Sequence, residues 1–126
     1  MPGITTGITF LSASQIAEQV RKHHLSPLEV VEAHLGRIEK TNSKINAFVQ
    51  VDADLALQQA RGAEARLLRK DQLGALHGVP ISIKSSIEVA GMRLEVGTKL
   101  RAGSIASQDA PLVRRLKAAG AIGRSA

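Results

Sequence analysis

Cysteine, tryptophan and tyrosine are absent from this 126-residue chain, and phenylalanine occurs only twice. Without cysteine there is no disulfide framework, no thiolate metal site and no thiol nucleophile. A reducing cytosol is compatible with that lack. An apolar inventory of Ala, Leu, Val and Ile suits helices packed through small side chains better than an aromatic-rich β-sandwich. Modules that read single-stranded nucleic acid stack bases on aromatic rings, and such platforms are missing too. No run approaches the ~18 consecutive apolar residues of a membrane span. The opening MPGITTGITFL lacks the basic-then-apolar order of a secretory leader, so the expected setting is the cytoplasm. Phosphate-loop and dinucleotide fingerprints are absent. The four histidines, His23, His24, His34 and His77, form no metal-ligand spacing, so neither a metal nor a cofactor is expected.

The length fits one domain, with enough chain to bury roughly two thirds of its unfolded surface. The formal charge is +6. Its cations come in small groups: Arg21-Lys22, Arg66 with Arg69-Lys70, and Arg114-Arg115 with Lys117. Most fall toward predicted helix C-termini, where a cation opposes the helix dipole. That pattern reads as solvated helix faces rather than as a nucleic-acid footprint.

Ser12 and Gln15 form a capping box, with Leu11 and Ile16 placed as its hydrophobic staple. A helix is predicted from Ser12 to about His24, with Ile16 and Val20 on one face. Ser26-Pro27-Leu28-Glu29 opens a second helix, with proline at the first position and glutamate at the third. Leu28, Val31, Leu35 and Ile38 give it one apolar stripe, and its end is expected near Thr41-Asn42. The alternating stretch 45–51 predicts a short strand. Asp52 then caps a third helix to about Arg69, with Ala53, Ala56, Leu57, Ala60, Ala63 and Leu67 on a small-residue face.

After a polar loop, residues 78–87 predict a strand. It places Ile81 and Ile83 on one face, and Ser82, Lys84 and Ser86 on the other. Pro80 cannot donate to a ladder and belongs at the strand's beginning or edge. A Gly-punctuated loop over 90–107 leads to Asp109, read as a helix cap. Pro111 sits in the first turn, Leu112, Val113 and Leu116 face inward, and Gly120 closes the helix. Ala121-Ile122 starts another strand. The order strand, helix, strand start suits a βαβ unit whose second strand is missing.

Lys84 is the main chemical candidate. A lysine amid apolar strand residues costs free energy if buried without a partner. Desolvation favours a neutral amine that can take a proton from a hydroxyl, and Ser-Lys pairs are a known nucleophile-and-base arrangement. From the residues alone, a lysine on the solvent face of an edge strand is the favoured reading.

Leu76-His77-Gly78-Val79-Pro80-Ile81-Ser82-Ile83-Lys84, followed by Val89-Ala90-Gly91, closely resembles the lysine segment of the amidase signature family. Asp109-Ala110-Pro111-Leu112-Val113 and Leu116-Lys117-Ala118-Ala119-Gly120-Ala121-Ile122 are similar to the helix and strand start that follow it there. Leu11-Ser12-Ala13, the segment Ser26 to Leu35 and Ile45-Asn46-Ala47-Phe48 match in place. The resemblance covers nearly the whole chain, in order.

It implies an α/β fold: the amino-terminal part of the amidase signature fold, with helices followed by a βαβ start of an incomplete sheet. The implied organisation is a single partial domain over 1–126, helical in 1–70 and carrying the lysine strand, loop, helix and truncated strand in 71–126. It also implies hydrolysis of a small-molecule carboxylic amide by a nucleophilic serine, a second serine with a cis peptide bond, and a lysine that matches Lys84. No cofactor is involved.

The chain departs from that family in one decisive way. Nothing before Ala126 reads as Gly-Gly-Ser-Ser-Gly-Gly, the signature that supplies both serines. Ser82 and Ser86 share the lysine's predicted face but have no Gly-rich oxyanion loop beside them. Ser85-Ser86 stand where many relatives have aspartate after the lysine, which leaves subfamily and substrate open. The expectation is a chain inactive by itself, with self-association or a complementing fragment as its partner. Two rivals remain: a non-catalytic helical interaction module, and a basic nucleic-acid-binding domain recognisable by steep salt dependence.

Overall fold

The computed structural model describes residues 7–48, 50–96 and 98–125, with residues 124 and 125 as backbone only. Its α-helices are α1 (Ala13–Arg21), α2 (Pro27–Ile45), α3 (Ala53–Leu68) and α4 (Pro111–Ala118). Two strands, β1 (Pro80–Ser82) and β2 (Ile122–Ser125), pair in parallel, with α4 in the crossover between them. The second strand of the βαβ unit is therefore present.

Both predicted capping boxes form. In α1, Ser12 Oγ accepts from Gln15 N–H while Gln15 Oε1 accepts from Ser12 N–H. In α2, Ser26 and Glu29 exchange the same pair of bonds behind Pro27. Asp52 caps α3 by accepting from Leu55 N–H. Helix α1 stops three residues before the predicted His24. His23 takes φ 62°, so that His23 N–H reaches Val20 O and His24 N–H reaches Gln19 O, closing the last turn.

The predicted strand over 45–51 is not there among the described residues, Val49 lying outside them. Helix α2 runs on through Ile45, and Asn46 ends it at φ 50°. The strand's hydrogen bonds are taken by a side chain instead. Asn42 Oδ1 accepts from Phe48 N–H and Asn42 Nδ2 donates to Phe48 O. An amide side chain can satisfy both groups of one residue, so alternation without a neighbouring strand does not make a ladder.

Three apolar clusters hold these elements together. The first joins Ile8, Ile16, Val20, Leu25, Val30, Leu67 and Val79. The second packs Val31, Ala60 and Ala63 against Ile122 of β2. The third gathers Ile83, Val89, Met92 and Val113. Helix α2 thus buries two faces: Val30 toward the first cluster, and the predicted stripe through Val31 toward the second. On α3 the small-residue face is buried at Ala60, Ala63 and Leu67, whereas Ala53 is exposed. On α4 the inward stripe centres on Val113. Leu112 is 46% exposed, contrary to expectation, because it sits on the neighbouring flank of so short a helix.

Candidate active-site lysine

The segment leading into β1 is strapped down by backbone bonds to the end of α4. Leu76 N–H donates to Ala119 O, Gly78 N–H to Gly120 O, and Ile122 N–H to Val79 O at 2.7 Å. Gly120 takes φ 95° and closes α4, with Gly120 N–H on Lys117 O and Ala121 N–H on Leu116 O. A Cβ there would stand 2.7 Å from His77 Cα, so only glycine fits. His77 is buried and its Nε2 donates to Ala63 O at 2.8 Å, tying the same segment to α3.

Strand β1 ends at Ser82, two residues short of Lys84, and this corrects the expected strand over 78–87. The partner decides the length. Pro80 pairs with Ile122 and Ser82 with Ser125, so β2 contributes one extra residue between Ile122 and Ser125. Beyond that pairing Ile83 turns inward, 6% exposed, into the third cluster. A turn follows, with Ile87 N–H donating to Lys84 O at 3.0 Å.

Lys84 itself is exposed. Among the described residues it forms no ion pair with a carboxylate and no hydrogen bond to Ser82, Ser85 or Ser86. Ser82 and Ser86 are exposed too, and Ser86 lies in the turn rather than on a strand face. What is fixed is the lysine's backbone. The buried Ile83 anchors it on one side, and on the other the loop is clamped to the start of α4. There Ala110 N–H donates to Glu88 O, and Asp109 Oδ1 accepts from Ala90 N–H at 2.8 Å. Asp109 Oδ2 accepts from Lys117 Nζ at 2.7 Å.

Sequence reading gave Asp109 the role of helix cap. The cap position belongs to Ala110, which makes no side-chain capping bond, and Asp109 holds the loop instead. An acidic residue just before a Pro-initiated helix signals either role. Only the loop's path brings Ala90 within reach.

The other histidines are spent on local structure. His34 Nδ1 donates to Val30 O within α2, and His24 pairs with Gln19. Among the described residues no group of three or more His, Asp or Glu side chains could hold a metal ion. Cations in the last turns of α1 to α4 oppose the helix dipoles as expected. No helix of the described residues is long and apolar enough to cross a membrane.

A groove of about 310 Å³ opens beside both strands, between Val31, Leu35 and Ile38 of α2, Gln59 of α3, and the strand residues Ile81 and Ile122. Sequence reading missed it, because its walls come from segments spread along the chain from Thr9 to Gly123.

The amidase family model matches residues 29–124, a span that runs from the start of α2 through the Lys84 segment into β2. The chain belongs to the amidase family. A glutamyl-tRNA(Gln) amidotransferase subunit from Streptomyces coelicolor is 40% identical over 109 residues, which cover 86% of this chain and 22% of that protein. Fatty-acid amide hydrolase 2-B of Danio rerio is 38% identical over 130 residues, 97% of this chain and 24% of the relative. A solved fatty acid amide hydrolase superposes with a TM-score of 0.89 at 25% identity, over 97% of this chain and 22% of that one. The amidase-family match thus confirms the fold expected from sequence, a helical region followed by a small parallel sheet. The chain spans about a quarter of the length of these relatives.

Proposed function

We propose that this chain supplies the general-base lysine of an amidase-type hydrolase, Lys84, and that amide hydrolysis requires two serines brought by further amidase-domain chain. In that scheme the nucleophilic serine attacks the amide carbonyl. Its proton passes through the bridging serine to the neutral amine of Lys84. Lys84 returns the proton to the leaving amine as the C–N bond breaks, and water then hydrolyses the acyl-enzyme. Backbone N–H groups of a Gly/Ser-rich loop would hold the oxyanion.

The observation that carries this reading is the placement of Lys84. It is exposed, two residues past the end of β1, with its backbone fixed on both sides. The proposal includes a single partial domain over 1–126, no activity of the chain alone, and a small-molecule amide as substrate.

The test is complementation. The full chain is co-expressed with the carboxy-terminal remainder of the Streptomyces coelicolor relative, and ammonia release is followed over a panel of small amides. Activity in the complex, none in either part, and loss of at least a hundredfold with Lys84→Ala is the expected result. Hydrolysis by the chain alone, or a Lys84→Ala complex as active as its parent, would sink the proposal.

A further inference from the structure

Lys84 opens a turn whose two feet stand in one apolar cluster. Ile83 on the incoming side and Val89 on the outgoing side both pack in the cluster around Val113 of α4. Between them the turn closes through Ile87 N–H on Lys84 O. The incoming foot continues β1, so the pairing with β2 holds it. The outgoing foot lies outside both strands, and its bonds go to the two residues that lead into α4. Ala110 N–H donates to Glu88 O, and Ala90 N–H donates to Asp109 Oδ1 at 2.8 Å. The first bond is backbone to backbone and asks little of residue 110. The second needs an acceptor side chain at position 109.

The Asp109 carboxylate is oriented for that bond. Its Oδ2 accepts from Lys117 Nζ at 2.7 Å, which turns Oδ1 toward Ala90. The side chain is 16% exposed, and an N–H bond to an ionised acceptor out of water is among the stronger ones. The helix draws no cap from it, since Ala110 holds the cap position without a side-chain bond. The carboxylate at the start of α4 thus serves the lysine turn.

We propose that Asp109 is the positioning residue for Lys84 in amide hydrolysis. It pins the outgoing foot of the turn, so that the lysine backbone stays where the amine can exchange a proton with the bridging serine. This inference rests on the amidase reading above. Proton transfer requires the base within hydrogen-bond reach, and a misplacement of about 1 Å can cost on the order of a hundredfold in rate.

The contact is tested on the chain alone by amide hydrogen exchange. Asp109→Ala should speed exchange about tenfold at Ala90 and also at Ile87, the amide bonded to Lys84 O, with far less change at Leu55 in α3. Asp109→Asn combined with Lys117→Met keeps an oxygen for Ala90 N–H without the ion pair, and should exchange nearly as the parent does.

The consequence is tested in the complex described under Proposed function. Asp109→Ala should lower kcat about thirtyfold and leave KM within about twofold, while the Asp109→Asn, Lys117→Met pair stays within about threefold of the parent. In a Lys84→Ala background Asp109→Ala should cost nothing more, because no amine is left to position. A carboxylate that only stabilises the fold would cost the same in both backgrounds.

Ile87 exchange unmoved by Asp109→Ala overturns the inference with or without a complex. So do a kcat within about twofold of the parent and equal losses with and without Lys84. If circular dichroism shows Asp109→Ala unfolded, the paired variant decides. Fast Ile87 exchange or a thirtyfold loss of kcat in that folded variant would show that the Ala90 bond does not position the lysine. Activity that needs Lys84 but ignores Asp109→Ala removes this inference and keeps the lysine reading. A Lys84→Ala complex as active as its parent removes the lysine reading itself.

Discussion

Gly123 lies so close to Ile81 that a Cβ on it would stand 2.3 Å from the Ile81 carbonyl oxygen, and its φ is 124°. Gly123→Ala therefore meets both a backbone clash and a conformation that L side chains avoid. A loss of about 2–4 kcal/mol is expected in urea unfolding. Gly62 offers the opposite case, exposed in mid-α3 with open space where a Cβ would go. Gly62→Ala should stabilise by about 0.5–1 kcal/mol. Equal midpoints for the two variants would refute this account of Gly123.

Asn42 satisfies both backbone groups of Phe48. Asn42→Ala should cost about 1–3 kcal/mol and expose the Phe48 amide to faster hydrogen exchange. Asn42→Asp keeps the acceptor for Phe48 N–H and loses the donor to Phe48 O, so its Phe48 amide should exchange at an intermediate rate. Unchanged exchange in Asn42→Ala would remove the side chain from its role as surrogate strand.

Asp109 and Lys117 are both less than one third exposed as side chains, at 16% and 31%. Asp109→Ala strips the acceptor from Ala90 N–H as well as from Lys117, and should cost about 2–3 kcal/mol. Lys117→Met leaves the Asp109–Ala90 bond in place and should cost less, about 1 kcal/mol. The reverse order in chemical denaturation would show that the ion pair, not the loop clamp, is the stabilising contact.

Glu18 on α1 accepts a hydrogen bond from Lys22 one turn on, N–O 2.8 Å, and this bond with the lysine's charge holds its carboxyl below the ordinary 4.5. The ionised form is thus favoured in the folded chain. Its contribution is present above the unfolded value and is lost as pH falls through the lowered folded value. Titration of the Glu18 side-chain carbon by NMR should give a midpoint under 4.5, returning toward it in Lys22→Gln. Because both groups are exposed, the effect on overall stability should be small and salt-screened. A midpoint unmoved by Lys22→Gln would exclude the pair as its cause.

Much of this protein is decided locally and was legible as sequence. Ser12, Ser26 and Asp52 start their helices because an N-cap bond spans three residues and needs no distant partner. Gly120 ends α4 for the same short-range reason. The same signals misled where a local pattern has two outcomes. The alternation over 45–51 resembles a strand, but Asn42, within the preceding helix, supplies the bonds. Asp109 resembles a cap, but Ala90, 19 residues earlier, takes its oxygen.

The sequence by itself determined the helix starts, the family, and Lys84 as the residue to watch, since each depends on residue type at fixed short spacing. Tertiary structure decided the rest. It ended β1 at Ser82, where the pairing with Ser125 of β2 closes, turned Ile83 inward, and left Lys84 exposed. It also assembled a groove around Gln59 from segments that no spacing rule connects. Packing between distant segments sets these features, and their partners lie tens of residues away in the chain.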